Sequence, residues 1–118
     1  MTSPTPLLTD QQHAQLLANG VATGKGDEAD RVPVVKLFTP DGSATWLLTE
    51  LDPYDPDIAF GLCDLDIGYP ELGSVRISEL ESVRGPLGLA VERDLHFEAD
   101  KSLSAYADAA RKAGRIIA

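Results

Sequence analysis

Carboxylates are the side chains through which this 118-residue sequence could do chemistry, and they fall into two groups. Asp52, Asp55 and Asp57 crowd the Pro-stiffened stretch Asp52-Pro53-Tyr54-Asp55-Pro56-Asp57, an oxygen-rich loop of the kind hard cations take. The stretch lacks the Gly turn and distal Glu of a calcium loop, and Asp-Pro pairs build tight turns that stay in water, so no metal and no cofactor are assigned. Glu50, Asp64, Asp66 and Glu71 form the second group, flanking an apolar run and its exit turn. Glu50 shares strand parity with Trp46 and Leu48, which points it inward, where burial would raise its pKa and suit it to acid or base work. Antiparallel pairing would bring Asp64 near it. The alternative is that strand-end carboxylates face solvent or cap neighbouring backbone N–H groups.

Arg93 interrupts an apolar row formed by Leu89, Val91, Leu95 and Phe97. A guanidinium buried there needs a carboxylate, and Glu50, Asp64 or Glu71 is the expected partner. His96 falls on the opposite parity and His13 on an N-terminal helix, too far apart in sequence to suggest a metal site. Cys63 lies inside an apolar run with no neighbouring Lys, which suits a small buried hydrophobe better than a thiolate nucleophile. The candidates for a catalytic role are therefore Glu50, Asp64, Glu71, Arg93 and His96. Those for contacting a partner are Asp52, Asp55, Asp57 and Asp66.

The elements that must position these residues read as a single α+β domain over residues 1–118. Residues 1–6, rich in Pro, Ser and Thr, are expected to fray. Thr9 and Gln12 form a capping box for a helix over about 10–19 that ends at Asn19-Gly20, followed by a mobile loop over 21–31. Val32–Phe38 and Ala44–Leu51 are β-rich and separated by Thr39-Pro40-Asp41-Gly42-Ser43, which predicts an antiparallel hairpin. Ile58–Leu65 and Gly73–Ile77 add third and fourth strands. Ser78 and Glu81 read as a capping box for a two-turn helix stopped by Gly85-Pro86. Leu89–Phe97 is expected to be extended with a break near Arg93-Asp94, and Leu103–Ala113 is an amphipathic helix closed by Gly114. Hairpin-length links leave no room for parallel crossovers, so the sheet is expected to be mostly antiparallel, with four to five strands.

The charge balance narrows the function classes. Ten basic and 19 acidic residues give −9. Residues 41–100 hold 14 acids and 3 arginines, or −11, while the flanks hold 5 acids and 7 bases, or +2. Such a field disfavours direct nucleic-acid binding and anionic membranes and favours a basic protein partner. One cysteine precludes an internal disulfide, and the N-terminal stretch lacks the pattern of a signal peptide. No run approaches the roughly 20 apolar residues of a membrane span. A cytoplasmic protein is expected, its oligomeric state open.

The blocks Pro33-Val34-Val35-Lys36-Leu37-Phe38, Thr45-Trp46-Leu47-Leu48-Thr49-Glu50, Phe60-Gly61-Leu62-Cys63-Asp64-Leu65, Pro70-Glu71-Leu72-Gly73 and Val91-Glu92-Arg93-Asp94-Leu95-His96-Phe97 occur in this order. With them the chain, over about residues 7–115, resembles a bacterial family known as domain of unknown function 2958. It departs where Asp66 replaces an expected Gly. The resemblance implies a small cytoplasmic protein, often encoded on plasmids and conjugative elements, and carries over no catalytic activity and no site residues. Three functions follow as expectations: a non-enzymatic acidic interaction module, a small metal-assisted enzyme built on the carboxylates with Arg93, or an acidic mimic of DNA.

Overall fold

A computed structural model describes residues 7–118. The expectation for residues 1–6 lies outside the described residues. The chain order is α1 (Asp10–Gly24), β1 (Val35–Phe38), β2 (Thr45–Asp52), β3 (Asp55–Asp64), β4 (Glu71–Arg76), α2 (Ile77–Ser82), β5 (Glu92–Arg93) and α3 (Leu103–Ala113). The strands form one antiparallel sheet in the order β4-β3-β2-β1-β5. The α+β architecture, with three helices among the described residues, is thus the one the sequence predicts.

Both faces of the sheet carry apolar residues, and different helices cover them. Leu16 of α1 and Leu80 of α2 pack with Val35, Leu37, Trp46, Leu48, Leu51 and Ala59 on one face. On the other, Leu103, Tyr106, Ala107 and Ala110 of α3 pack with Leu47, Leu62 and Ile116. Trp46, Leu47 and Leu48 are consecutive and all buried, because the central strand β2 has protein on both sides.

Helix α1 runs further than expected. Its Thr9–Gln12 capping box is present, but Gly20 is interior to the helix, and the chain leaves it at Lys25 before the left-handed Gly26. The reason is a close approach. Strand β1 pairs with β2 only as far as Leu48, and beyond that point α1 takes the place of a strand along β2's open edge. Asn19 Nδ2 donates to the Thr49 carbonyl at 2.8 Å, and Gly20 sits against the Leu51 carbonyl, where any Cβ would collide with backbone. The loop after α1 is tied down by Arg31, which reaches Asp27 at 3.4 Å, and by Asp30, which accepts from Ser104 of α3.

Two further expectations are corrected. Ser78 does not cap α2: the N-cap is Arg76, and Ser78 instead donates its N–H at 2.9 Å and its hydroxyl at 2.7 Å to the Asp57 carboxylate on β3. The row Leu89, Val91, Arg93, Leu95, Phe97 does not bury one face. Val91 is buried and Phe97 packs toward α3, while Leu89 and Leu95 are exposed. Only Glu92 and Arg93 pair, because the Asp94 carboxylate turns back to accept from the His96 N–H and stops the strand, at the break the sequence suggests. Upstream, Asp41 Oδ2 accepts from the Leu87 and Leu89 N–H groups, pinning the 84–90 loop to the β1–β2 turn.

Candidate binding groove

A β-bulge decides where the carboxylates of β2 point. Leu48 pairs with Gly61, but the next pair is Glu50 with Phe60, leaving Thr49 as an extra residue. Its hydroxyl donates to the Phe60 carbonyl at 3.3 Å, and its carbonyl accepts from Asn19. Phe60 shares β3 parity with Leu62, so Glu50 lies on the α3 face of the sheet and not with Trp46 and Leu48. Glu50 therefore does not join the core at the end of the hairpin. It faces a part of the sheet that α3 does not reach.

That uncovered end is a shallow groove of about 430 Å³. Ile58, Phe60 and Ser74 floor it, Gly20, Thr23 and Gly24 of α1 form one wall, and Glu50, Asp52, Pro53 and Tyr54 form the rim. Thr23 Oγ1 donates to Glu50 Oε1 at 3.2 Å, holding the carboxylate over the groove. Asp52 Oδ1 accepts from the Tyr54 N–H at 2.8 Å, which closes the two-residue turn and leaves the Tyr54 ring 96% exposed. Phe60 is 37% exposed, an aromatic floor under two carboxylates.

The other carboxylates are placed elsewhere. Asp64 is 2% exposed, and both its oxygens are engaged: Oδ1 accepts from the Asp66 N–H at 2.8 Å and Oδ2 from the Ile116 N–H at 2.9 Å. It pairs with Thr45, four residues along β3 from Glu50's partner, or about 13 Å. Antiparallel pairing does not bring Asp64 to Glu50. Glu71 opposes Cys63 on β4 and is exposed, on the parity of Gly73 and Val75, away from the groove. Arg93 opposes Leu37 on β5, at the opposite edge of the sheet from Glu71, so the expected partners Glu50, Asp64 and Glu71 do not converge on it. His96 is exposed beyond β5, and His13 lies on α1. Cys63 is partly buried, and burial pushes its thiol pKa up. Among the described residues, no three His, Cys, Asp or Glu side chains cluster in a way that could hold a metal ion.

Of the four partner candidates, only Asp52 lines the groove. Asp55 and Asp57 share Arg76, at 3.1 and 3.5 Å, and Asp66 stands in the left-handed turn at the far end of β3. Sequence reasoning missed the groove's Thr23, Tyr54, Phe60 and Ser74. The alternation of apolar and polar residues carries no mark of the bulge that assembles them.

The Asp57 carboxyl is held below the ordinary aspartate value of 3.8, chiefly by the Ser78 hydroxyl and N–H, with Arg76 adding to the effect. A carboxyl more acidic in the folded chain than in the unfolded one stabilises the fold above the unfolded pKa, and that contribution is lost as pH falls through the folded value. The expected result is a decline in thermal stability below about pH 4 that is shallower in Asp57→Asn than in the parent. Melting curves between pH 2.5 and 6 check it. Identical slopes would contradict the assignment.

A family model described as a protein of unknown function, DUF2958, matches residues 7–117. No curated protein and no solved structure matches the chain.

Proposed function

We propose that this chain, which belongs to the family of proteins of unknown function DUF2958, is a non-enzymatic interaction module whose groove receives a basic segment of another protein. The observation that carries this reading is the pairing of Glu50 and Asp52 over an apolar floor of Ile58 and Phe60. A lysine or arginine has the matching shape, an apolar stem ending in a cation, and aromatic faces add attraction for the cation. The field of −11 over residues 41–100 would draw such a partner in and speed encounter. A carboxylate enzyme is less favoured because Glu50, Asp64, Glu71 and Arg93 stand apart. DNA mimicry needs a continuous row of negative charge, whereas Asp55 and Asp57 share one arginine, Arg76, which offsets half their charge, and Asp66 lies at the other end of β3. On the resemblance noted above, the setting we propose is the bacterial cytoplasm, with a partner encoded by a plasmid or conjugative element.

A labelled peptide alternating Lys and Thr, titrated by fluorescence anisotropy, tests the groove. Replacing Glu50 by Gln and Asp52 by Asn together is expected to weaken binding about fivefold to thirtyfold, as two rim charges worth about 0.5–1 kcal/mol each. The control pair Glu79→Gln and Glu98→Gln, both exposed and outside the groove, removes the same charge and is expected to leave affinity within about twofold. Equal losses in the two pairs would mean that only net charge matters.

A further inference from the structure

We infer that the partner segment binds in extended form, as a sixth strand on the free edge of β4; the inference rests on the groove reading. The direction of every backbone group on that edge follows from the alternation of antiparallel ladders. Thr39 N–H donates to the Ala44 carbonyl, so Leu37 and Trp46 form the next bonded pair, and Lys36 turns its carbonyl toward β5, where Asp94 N–H meets it at 2.9 Å. Leu47 then faces β3, Leu62 faces β2, and Gly61 and Cys63 face β4. Consistently, the Phe60 carbonyl points at β2, where Thr49 finds it. Glu71, Gly73 and Val75 therefore bond to β3, while Leu72 and Ser74 aim N–H and C=O outward. Among the described residues, none of these outward groups has a hydrogen-bond partner.

This edge carries charge only at its ends, Glu71 and Arg76. β4 holds no Pro or Lys, and Leu72 and Ser74 are exposed. The opposite edge is the two-residue β5, stopped by Asp94. Ser74 belongs to both features: its side chain floors the groove and its backbone faces outward. A strand laid on β4 places every second side chain on the groove's side, about two strand spacings from Phe60, within reach of an extended lysine. Charge selects the occupant. A second copy would set two fields of −11 edge to edge, with Glu71 on the seam and Arg76 already engaged by Asp55 and Asp57, whereas a basic segment meets complementary charge.

Ser74→Pro removes one outward N–H while leaving the β3–β4 ladder intact, since proline is tolerated where an edge N–H faces solvent. With the Lys/Thr peptide as probe, the variant is expected to bind about fivefold more weakly, and a peptide N-methylated at alternate residues on its bonding edge about tenfold more weakly to the parent. Hydrogen exchange at Leu72 and Ser74 is expected to slow when the unmethylated peptide is added. Unchanged exchange at both amides, with full affinity for the methylated peptide, would overturn the strand while sparing the groove if Thr23 and Glu50 still respond. A peptide that does not bind the parent at all would remove the groove reading and the strand with it. Should Ser74→Pro fail to fold, the methylated peptide and the exchange measurement decide. A free chain that is dimeric by light scattering, with Leu72 and Ser74 already protected, would mean the edge is closed by a second copy.

Discussion

Gly20→Ala is expected to destabilise the chain by about 2 kcal/mol or more and to lower its melting midpoint by about 10 °C, although alanine is the better helix former. Inside α1, propensity alone favours alanine by up to about 1 kcal/mol. The opposing effect is steric. A Cβ at Gly20 collides with the carbonyl of Leu51, a backbone atom in the central strand that cannot swing aside. Overpacking of this kind costs about 1–3 kcal/mol, and displacing α1 also breaks the Asn19–Thr49 hydrogen bond, worth about 1 kcal/mol more. Gly24→Ala is the control. It lies on the same helix with open space around it, and there alanine is expected to stabilise by about 0.5–1 kcal/mol. Thermal melts of the two variants check the pair. If both stabilise, α1 does not press on β2 as described, and the wall of the groove is looser than the geometry requires.

Asp64→Asn is expected to cost about 3 kcal/mol in urea unfolding and to free the C-terminal segment for proteolysis. Asp64 is buried and accepts from two backbone N–H groups, one on each oxygen. Asparagine retains one acceptor and turns an amide donor toward the other N–H, leaving a buried donor facing a donor. The Ile116 N–H is the bond that ties the C-terminal segment to β3, and Ile116 itself packs with Leu47, Leu62 and α3. If Asp64 served catalysis instead, the isosteric change would leave stability nearly unaltered. Unfolding curves that superimpose on the parent's would therefore contradict the structural role assigned here.

The fold was readable wherever a local signal sufficed. Thr9 and Gln12 announce α1, Val32–Phe38 and Ala44–Leu51 announce the first hairpin, and the apolar spacing of Leu103, Tyr106, Ala107 and Ala110 announces α3. What sequence could not show depends on partners distant in the chain. Asn19-Gly20 looks like a helix stop, yet Gly20 is there for Leu51, 31 residues away. Ser78 looks like a cap, yet it serves Asp57 across the sheet. Arg93 stands in an apolar-looking row that never becomes a single face, because Asp94 ends the strand after two residues. Glu50 is the most instructive case. Parity placed it inward with Trp46 and Leu48, and one unpaired residue, Thr49, turned it outward to the groove. Four residues of β3, about 13 Å, still separate Glu50 from Asp64 on that face, so one carboxylate is a structural latch and the other a binding rim.

Backbone amide chemical-shift mapping of the ¹⁵N-labelled chain titrated with the Lys/Thr peptide tests the central claim most directly. Saturable shifts are expected at Gly20, Thr23, Gly24, Glu50, Asp52, Tyr54, Ile58, Phe60 and Ser74, with the strand inference adding Leu72, and quiet signals from Asp66, Glu79 and Glu98. Shifts scattered over every acidic surface, or centred on the turn at Asp66, would show that the groove is not where a basic partner binds.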